Sequence, residues 1–208
     1  MRVRVLILLM LFGLPSVVFC QHLRLGVGGG LSFIDNPAYY AQDVSSGGLG
    51  FTTELHAGID AKLDLEGFPV TLTGRAHYTW MTGSGTVESD QVYASAGDYS
   101  TFADILVIAF GAEWAVSPGP FSPHLSSEIL LTEAGQVTYA NASSAPFLKD
   151  ARTRVGFALG AGLESSLSAL LSADLRIRYN WNTLFGRPGG EENLNTLDVT
   201  LAFFFSLY

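Results

Sequence analysis

The sequence predicts an all-β protein, an eight-stranded antiparallel up-and-down transmembrane β-barrel with short periplasmic turns and long extracellular loops. Three observations predict it: an apolar leader at the N-terminus, eight segments in which polar and apolar residues alternate, and connections that alternate in length. The chain has 208 residues, which suggests one domain. Charged residues make up 14% and hydrophobic residues 48%, a composition that excludes a disordered chain.

The leader, residues 1–20, has the pattern of a signal peptide. Arg2 and Arg4 provide the positive charge, and Val5–Val18 provides the apolar segment. We expect cleavage after Cys20. The alternative is a lipoprotein that keeps Cys20 as its acylated first residue; the large Phe19 before it disfavours that processing.

The barrel domain is predicted to occupy residues 21–208. Its longest uncharged apolar run, Ile105–Ala112, is far shorter than the ~20 residues of a membrane-spanning helix. If this chain spans a membrane, it must therefore do so as a closed barrel.

Most of the predicted strands share a period of two. They are Leu23–Phe33, Phe51–Leu63, Val70–Trp80, Phe102–Val116, His124–Leu131, Thr153–Glu164, Leu170–Trp181 and Asn195–Leu207. The connections between them run long, short, long, short, long, short, long, and the short ones carry turn residues such as Pro118-Gly119-Pro120. Bacterial outer-membrane barrels sort their turns and loops in this way.

Aromatic residues lie near the ends of the apolar faces, at two depths. This predicted aromatic girdle comprises Phe33, Tyr78, Trp80, Trp114, Tyr179, Trp181, Phe203 and Phe205. A soluble barrel would bury its apolar face, whereas a membrane barrel turns it to lipid. Two aromatic belts favour the membrane arrangement.

The opposite face of the strands carries many charged side chains of both signs. The predicted lumen network comprises Arg24, Glu54, His56, Asp60, Lys62, Arg75, His77, Glu113, Glu128, Arg154, Glu164, Asp174, Arg176, Arg178 and Asp198. Positive and negative charges nearly balance, so we expect them to pair. The network could line a narrow channel or plug the bore; eight strands leave an interior just wide enough for side chains, which favours a plug.

The signal peptide, strand count, loop alternation and two-faced strands together resemble the small eight-stranded outer-membrane β-barrel family, the OmpA-type transmembrane domain and its OmpX-like relatives. The resemblance covers the whole mature chain and includes no residue-specific functional motif. It implies a monomer in the outer membrane of a diderm bacterium, in contact with lipid and lipopolysaccharide. It also implies an aromatic last residue, here Tyr208, read by the assembly machinery. Tyr208 has the opposite parity to Phe203 and Phe205, so either it bends out of register or the alternation slips at Phe204.

We expect a non-enzymatic barrel that supports the envelope or makes surface contacts through its loops. The alternatives are a narrow porin-like channel for small solutes and a lipid A-modifying enzyme. His124, Ser126 and Glu128 share one strand face and resemble the His-x-Ser of lipid A deacylases. Those enzymes act on the lipid-facing side near the outer leaflet, whereas parity places these residues in the lumen at the periplasmic end. The sequence therefore predicts no catalytic residues.

Charge and cysteine content exclude further classes of partner. The 11 basic and 19 acidic residues give a net charge of −8, which disfavours nucleic acid as a partner. A lone cysteine excludes Cys-rich zinc sites, and no Asp-x-Asp-x-Asp-Gly calcium loop is present. The sequence therefore predicts no cofactor and no metal site.

Overall fold

The computed structural model describes residues 21–65, 69–87, 97–117, 119–135, 138–141, 152–186 and 192–207. The predicted signal peptide and Tyr208 lie outside these residues. Within them, no helix is long and apolar enough to cross a membrane.

Eight long antiparallel strands close into a barrel. The strands are β1 (Gln21–Asn36), β2 (Thr53–Leu65), β3 (Val70–Val87), β4 (Gly97–Ala115), β5 (Phe121–Ala134), β6 (Thr138–Asn141), β7 (Arg152–Ser166), β8 (Leu171–Phe185) and β9 (Asn195–Ser206). Each long strand pairs with its neighbours in the chain, β1 pairs with β9, and every pairing is antiparallel. The four-residue β6 pairs with β4 beyond the end of β5, so it continues β5 rather than adding a ninth barrel strand. The predicted eight-stranded up-and-down topology is confirmed.

The two ends of the barrel differ in their connections. Residues 66–69, 116–120 and 167–170 make short connections at one end, which we call the turn end. The other connections join strands at the opposite end, which we call the loop end; they are residues 37–52, 88–96 and 186–194, and the segment around β6. This is the alternation of lengths that the sequence predicts.

The strands are longer at the loop end than their sequence pattern indicates. The predicted strand Val70–Trp80 continues to Val87, and the next strand begins at Gly97 rather than Phe102. Position 87 pairs with position 97, so much of the predicted 81–101 loop is a hairpin. Residues 82–86 (Thr-Gly-Ser-Gly-Thr) are small and polar on both faces; they extend the backbone ladder without the apolar alternation by which strands are recognised.

The outward face is apolar and the inward face is buried. On β2, Leu55 and Ile59 are 65% and 63% exposed, whereas His56, Asp60 and Lys62 are at most 4% exposed. The same division holds on the other strands, because successive side chains point to opposite faces.

Two aromatic levels bound the apolar face. Trp114 pairs with Val70 at the turn end, and Trp80 lies ten positions further along β3. At a rise of about 3.3 Å per residue and a tilt of about 40°, ten residues span about 25 Å along the barrel axis. On β8 the same ten positions separate Leu171, which pairs with Phe205, from Trp181. Two independent strand pairs thus give the height of the apolar band of an outer-membrane barrel.

The first loop folds into the loop end of the barrel. It contains a single helical turn, α1 (Ala38–Ala41), and a short 3₁₀ turn at Val44–Ser46. Phe51 was predicted to begin the second strand; instead it precedes β2 and is fully buried, and Leu49 is 2% exposed. Backbone hydrogen bonds from Leu49 N to the carbonyl of Tyr39 (2.8 Å) and from Phe51 N to that of Tyr40 (2.7 Å) hold this fold.

Around Phe51 lies an apolar cluster that we call the apolar cap. It comprises Ile34, Leu49, Phe51, Met81, Ala103, Ile105, Val107, Ala109, Leu130, Ala158 and Leu194. Apolar side chains therefore pack part of the loop half of the lumen, in the manner of the core of a soluble protein.

Candidate functional site: the charged lumen

Alternation along each strand aims the charged side chains into the lumen, and the strand register sets their levels. Asp60 on β2 lies opposite Arg75 on β3, and Arg178 on β8 lies opposite Asp198 on β9. Most contacts of the network, however, cross the bore between strands that are not neighbours. They form two groups, which we call the turn-end cluster and the central network.

The turn-end cluster comprises Arg24, Lys62, Asp64, Glu113, His124, Glu164 and Asp174. Lys62 lies at its centre, only 1% exposed, and its Nζ donates to Glu113 Oε1 (2.8 Å), Glu164 Oε2 (2.7 Å) and Asp174 Oδ2 (2.8 Å). One ammonium group thus uses its three donors on three carboxylates from β4, β7 and β8.

Arg24 lies on the mouth side of this cluster. Its guanidinium donates to Glu164 and forms an ion pair with Asp64, with Nε 3.0 Å from Oδ2. Asp64 is the most exposed carboxylate of the group, at 35% for its side chain. Arg24 and Asp64 therefore separate the buried ion pairs from the opening at the turn end.

The central network lies on the loop-end side of the turn-end cluster. Arg75 Nε donates to Glu128 Oε2 at 2.8 Å, and its Nη2 donates to Asn180 Oδ1 at 3.1 Å. The Asn180 amide in turn donates to Asp198 Oδ2 at 2.7 Å. Arg178 Nε lies 3.6 Å from Glu128 Oε1. Both arginines are buried, so these contacts offset the large cost of removing their charges from water.

Asp60 extends the turn-end cluster toward the middle of the barrel. It faces His77 Nε2 at 3.0 Å and Arg176 Nη2 at 2.9 Å, and Arg176 Nε lies 3.6 Å from Asp174 of the turn-end cluster. A continuous set of ion pairs therefore runs from the turn end to the middle of the barrel.

Three predicted network residues lie closer to the loop end. His56 contacts the hydroxyls of Ser32 (3.0 Å) and Thr200 (2.9 Å) through its two ring nitrogens. Glu54 is buried and accepts a hydrogen bond from the backbone N–H of Thr82 at 3.0 Å. Arg154 donates to the carbonyl of Thr153 at 3.1 Å.

Phe204 is a lumen residue that sequence reasoning left undecided. It faces inward and is fully buried, so the alternation does not slip at this position. Lys62 Nζ lies 4.8 Å and Arg176 Cζ 5.5 Å from its ring centroid, within cation–π range. Gly26 makes room for it, because a Cβ there would lie 2.7 Å from the phenyl ring.

The described part of the lumen is filled along its length. A cavity of about 10 Å³, lined by Glu54, Thr79, Asp198 and residues of the apolar cap among others, lies where the central network meets the cap. This is room for about one water molecule. The turn-end cluster with Phe204, the central network and the apolar cap occupy successive levels of the bore.

The predicted girdle residues lie at two levels of the outer surface. At the loop end, Tyr78 packs edge-on against Trp80, with ring centroids 4.9 Å apart, and Tyr179 packs against Trp181 in the same way at 4.8 Å. Each tyrosine hydroxyl donates to a carboxylate about two positions nearer the loop end, Asp104 and Asp35 respectively.

Phe33 lies near the same level as Tyr179, since both pair with Leu197. Trp114, Phe203 and Phe205 lie toward the turn end and are between 39% and 53% exposed. An apolar ring with its polar group toward water is the arrangement that membrane interfaces favour.

His124, Ser126 and Glu128 all face the lumen and are buried. Glu128 is engaged by the two arginines of the central network, and His124 Nε2 lies nearest Glu113 (3.5 Å) and Asp174 (3.6 Å). The histidine and glutamate thus belong to different groups, and neither lies on the lipid-facing surface where a lipid A-modifying enzyme would act.

The similarity of this chain to known proteins is one of structure. No protein-family model and no curated protein matches the sequence. The crystal structure of Neisserial surface protein A (NspA) is similar at a TM-score of 0.52 with 14% identity, covering 90% of this chain and 97% of that one. A major outer membrane protein from Thermus thermophilus is similar at a TM-score of 0.53 with 12% identity, covering 91% and 100%. The chain therefore has the closed eight-stranded fold of the small outer-membrane β-barrels.

Proposed function

We propose that this protein is an integral barrel of the outer membrane of a diderm bacterium, with a closed lumen and no enzymatic activity. The observation that carries the proposal is the apolar outer surface about 25 Å high, bounded by two aromatic belts, together with inward-facing charges. Soluble monomers rarely expose contiguous apolar patches larger than a few hundred Å². Lipid is the solvent that makes this surface favourable.

In this role the lumen stiffens the barrel rather than conducting solutes. A channel needs a continuous hydrated path, whereas ion pairs across non-neighbouring strands close the turn half and the apolar cap closes the loop half. The cavity between the central network and the apolar cap holds only about one water molecule, which supports a plug over the narrow porin-like channel.

The loop end is the surface available for contacts outside the cell. The β3–β4 hairpin continues seven residues past Trp80, to Val87, which places the Val87–Gly97 pair about 18 Å beyond the upper belt. Thr82, Ser84 and Thr86 are exposed along it. Two tyrosines near this end are turned inward: Tyr99 is buried and Tyr40 packs against the apolar cap.

Epitope insertion tests both membrane integration and orientation. One variant carries an epitope between Gly189 and Gly190 in the β8–β9 connection, and a matched variant carries it between Glu66 and Gly67 in the β2–β3 turn. We expect both proteins in the outer-membrane fraction, resistant to alkaline extraction. Antibody should label the 189/190 insertion on intact cells and the 66/67 insertion only after the outer membrane is permeabilised. Folded protein in the soluble periplasmic fraction, or the reverse labelling pattern, would overturn the proposal.

A further inference from the structure

Three potential metal ligands meet in the turn-end cluster. Glu113 on β4, His124 on β5 and Asp174 on β8 each offer one ligand atom, and these atoms lie within 4.8 Å of one another. Their side chains are 7%, 2% and 0% exposed. Each comes from a different strand, so no sequence motif indicates that they form a site.

The ligand atoms are not used by the ion pairs around them. Lys62 takes Glu113 Oε1 and Asp174 Oδ2, which leaves Oε2 and Oδ1 directed toward His124. Asp174 Oδ1 and both ring nitrogens of His124 are buried without a hydrogen-bond partner. Buried polar groups in this condition are rare and are commonly explained by an ion or water.

The charge balance of the cluster also calls for a cation. Four carboxylates (Asp64, Glu113, Glu164 and Asp174) face two cations (Arg24 and Lys62), and Arg176 is matched by Asp60. With neutral His124 the cluster has a net charge of −2. One divalent ion neutralises it.

The two spacings to His124 fit a small transition-metal ion. Zinc binds nitrogen and carboxylate oxygen at about 2.0–2.2 Å, so ligand atoms at tetrahedral angles lie about 3.3–3.6 Å apart. His124 Nε2 is 3.5 Å from Glu113 Oε2 and 3.6 Å from Asp174 Oδ1. Gly162 gives the imidazole its position, because a Cβ there would lie 2.5 Å from Nε2.

We infer that Glu113, His124 and Asp174 bind a divalent transition-metal ion of the zinc class, with solvent at the fourth position. The ion joins β4, β5 and β8 at the turn end, beside the lower aromatic belt at Trp114. It enters from the turn-end opening, where Asp64, Glu164 and Arg24 are partly exposed.

The test is zinc binding to the tag-free mature chain, refolded in detergent and stripped with a chelator. We expect one Zn²⁺ per chain by elemental analysis after desalting. Competition with a chromophoric chelator gives the affinity, which His124→Gln should weaken at least about 100-fold, the upper end of the loss seen for an outer-shell partner alone. Co²⁺ should give tetrahedral d–d absorption in the wild type and lose it in His124→Gln.

Two histidine variants control for other sites. His56→Gln alters a buried lumen histidine outside the cluster, and His22→Gln removes an exposed histidine at the same end; both should bind Zn²⁺ like the wild type. Glu113→Gln gives an independent reading if His124→Gln fails to fold. Absence of stoichiometric Zn²⁺ in the folded wild type, or unchanged affinity in folded His124→Gln, would overturn the inference.

Discussion

A charge placed on the outward face should become more costly with depth in the membrane. Ile59 and Leu55 lie on the same face of β2 and are almost equally exposed, at 63% and 65%. Leu55 pairs with Trp80 of the upper belt, whereas Ile59 pairs with Ala76, four positions further toward the turn end. Four residues correspond to about 10 Å of depth, which places Ile59 near the middle of the 25 Å band.

Arginine near the bilayer midplane costs about 2–4 kcal/mol, and near the interface about 0–1 kcal/mol. We therefore expect Ile59→Arg to lower the free energy of unfolding by about 2–4 kcal/mol and Leu55→Arg by less than about 1 kcal/mol. A difference of about 2 kcal/mol corresponds to about a 30-fold change in the folding equilibrium.

The assay is reversible denaturant unfolding in lipid vesicles, followed by tryptophan fluorescence and by the gel mobility of unheated samples. Ile59→Ala and Leu55→Ala measure the loss of apolar area at each site, so that the charge effect is obtained by difference. Equal costs for the two arginine variants, or no cost at position 59, would refute the conclusion that this face contacts hydrocarbon.

Three substitutions test the lumen. Lys62→Met leaves three buried carboxylates without their shared cation and should lower the free energy of unfolding by about 3–5 kcal/mol. Adding Asp174→Asn should restore part of the lost stability. An unchanged free energy of unfolding in Lys62→Met would contradict the assigned ion pairs. Phe204→Ala removes a fully buried ring and should cost about 3–5 kcal/mol in the same assay; a loss below about 1 kcal/mol would show that the bore is not packed around it. Phe51→Ala should release the first loop, measured as faster chymotrypsin cleavage after Tyr39 and Tyr40; unchanged cleavage would argue against the apolar cap.

The barrel fold could be predicted because each strand carries the two-faced residue pattern that such a barrel requires. A strand with lipid on one side and a packed lumen on the other must alternate with period two, and β2 and β8 do so over most of their length. The alternating lengths of the connections then indicated which end of each strand lies at the turn end and which at the loop end. The hairpin beyond Trp80 was missed because it extends past the apolar band, where backbone pairing holds the strands without an apolar alternation.

The charged side chains could be assigned to one face, but their partners could not be predicted. Lys62 meets Glu113, Glu164 and Asp174 across the bore, at sequence separations of 51, 102 and 112 residues. Those contacts depend on barrel closure and on side-chain length, which strand parity does not report. The proposed metal ligands likewise come together only when the barrel closes, so the sequence did not predict their site.

The apolar cap was missed for a different reason. Ile105 and Val107 point inward, yet they belong to the uninterrupted apolar run Ile105–Ala112, in which no polar residue marks the lumen face. Leu49 lies between two glycines and Phe51 follows the second, where an apolar residue indicates the start of the next strand. Only the folded loop shows that these side chains enter the bore.

Single-channel recording from the refolded mature chain, residues 21–208, in planar bilayers tests the closed barrel most directly. Folding is first verified by the mobility of unheated samples, and a known porin is recorded in the same bilayers as a positive control. The account predicts no reproducible conductance steps from the folded protein, because the turn-end cluster with Phe204, the central network and the apolar cap fill successive levels of the lumen. Discrete, reproducible steps would contradict it and make a hydrated small-solute pore the function of the charged lumen.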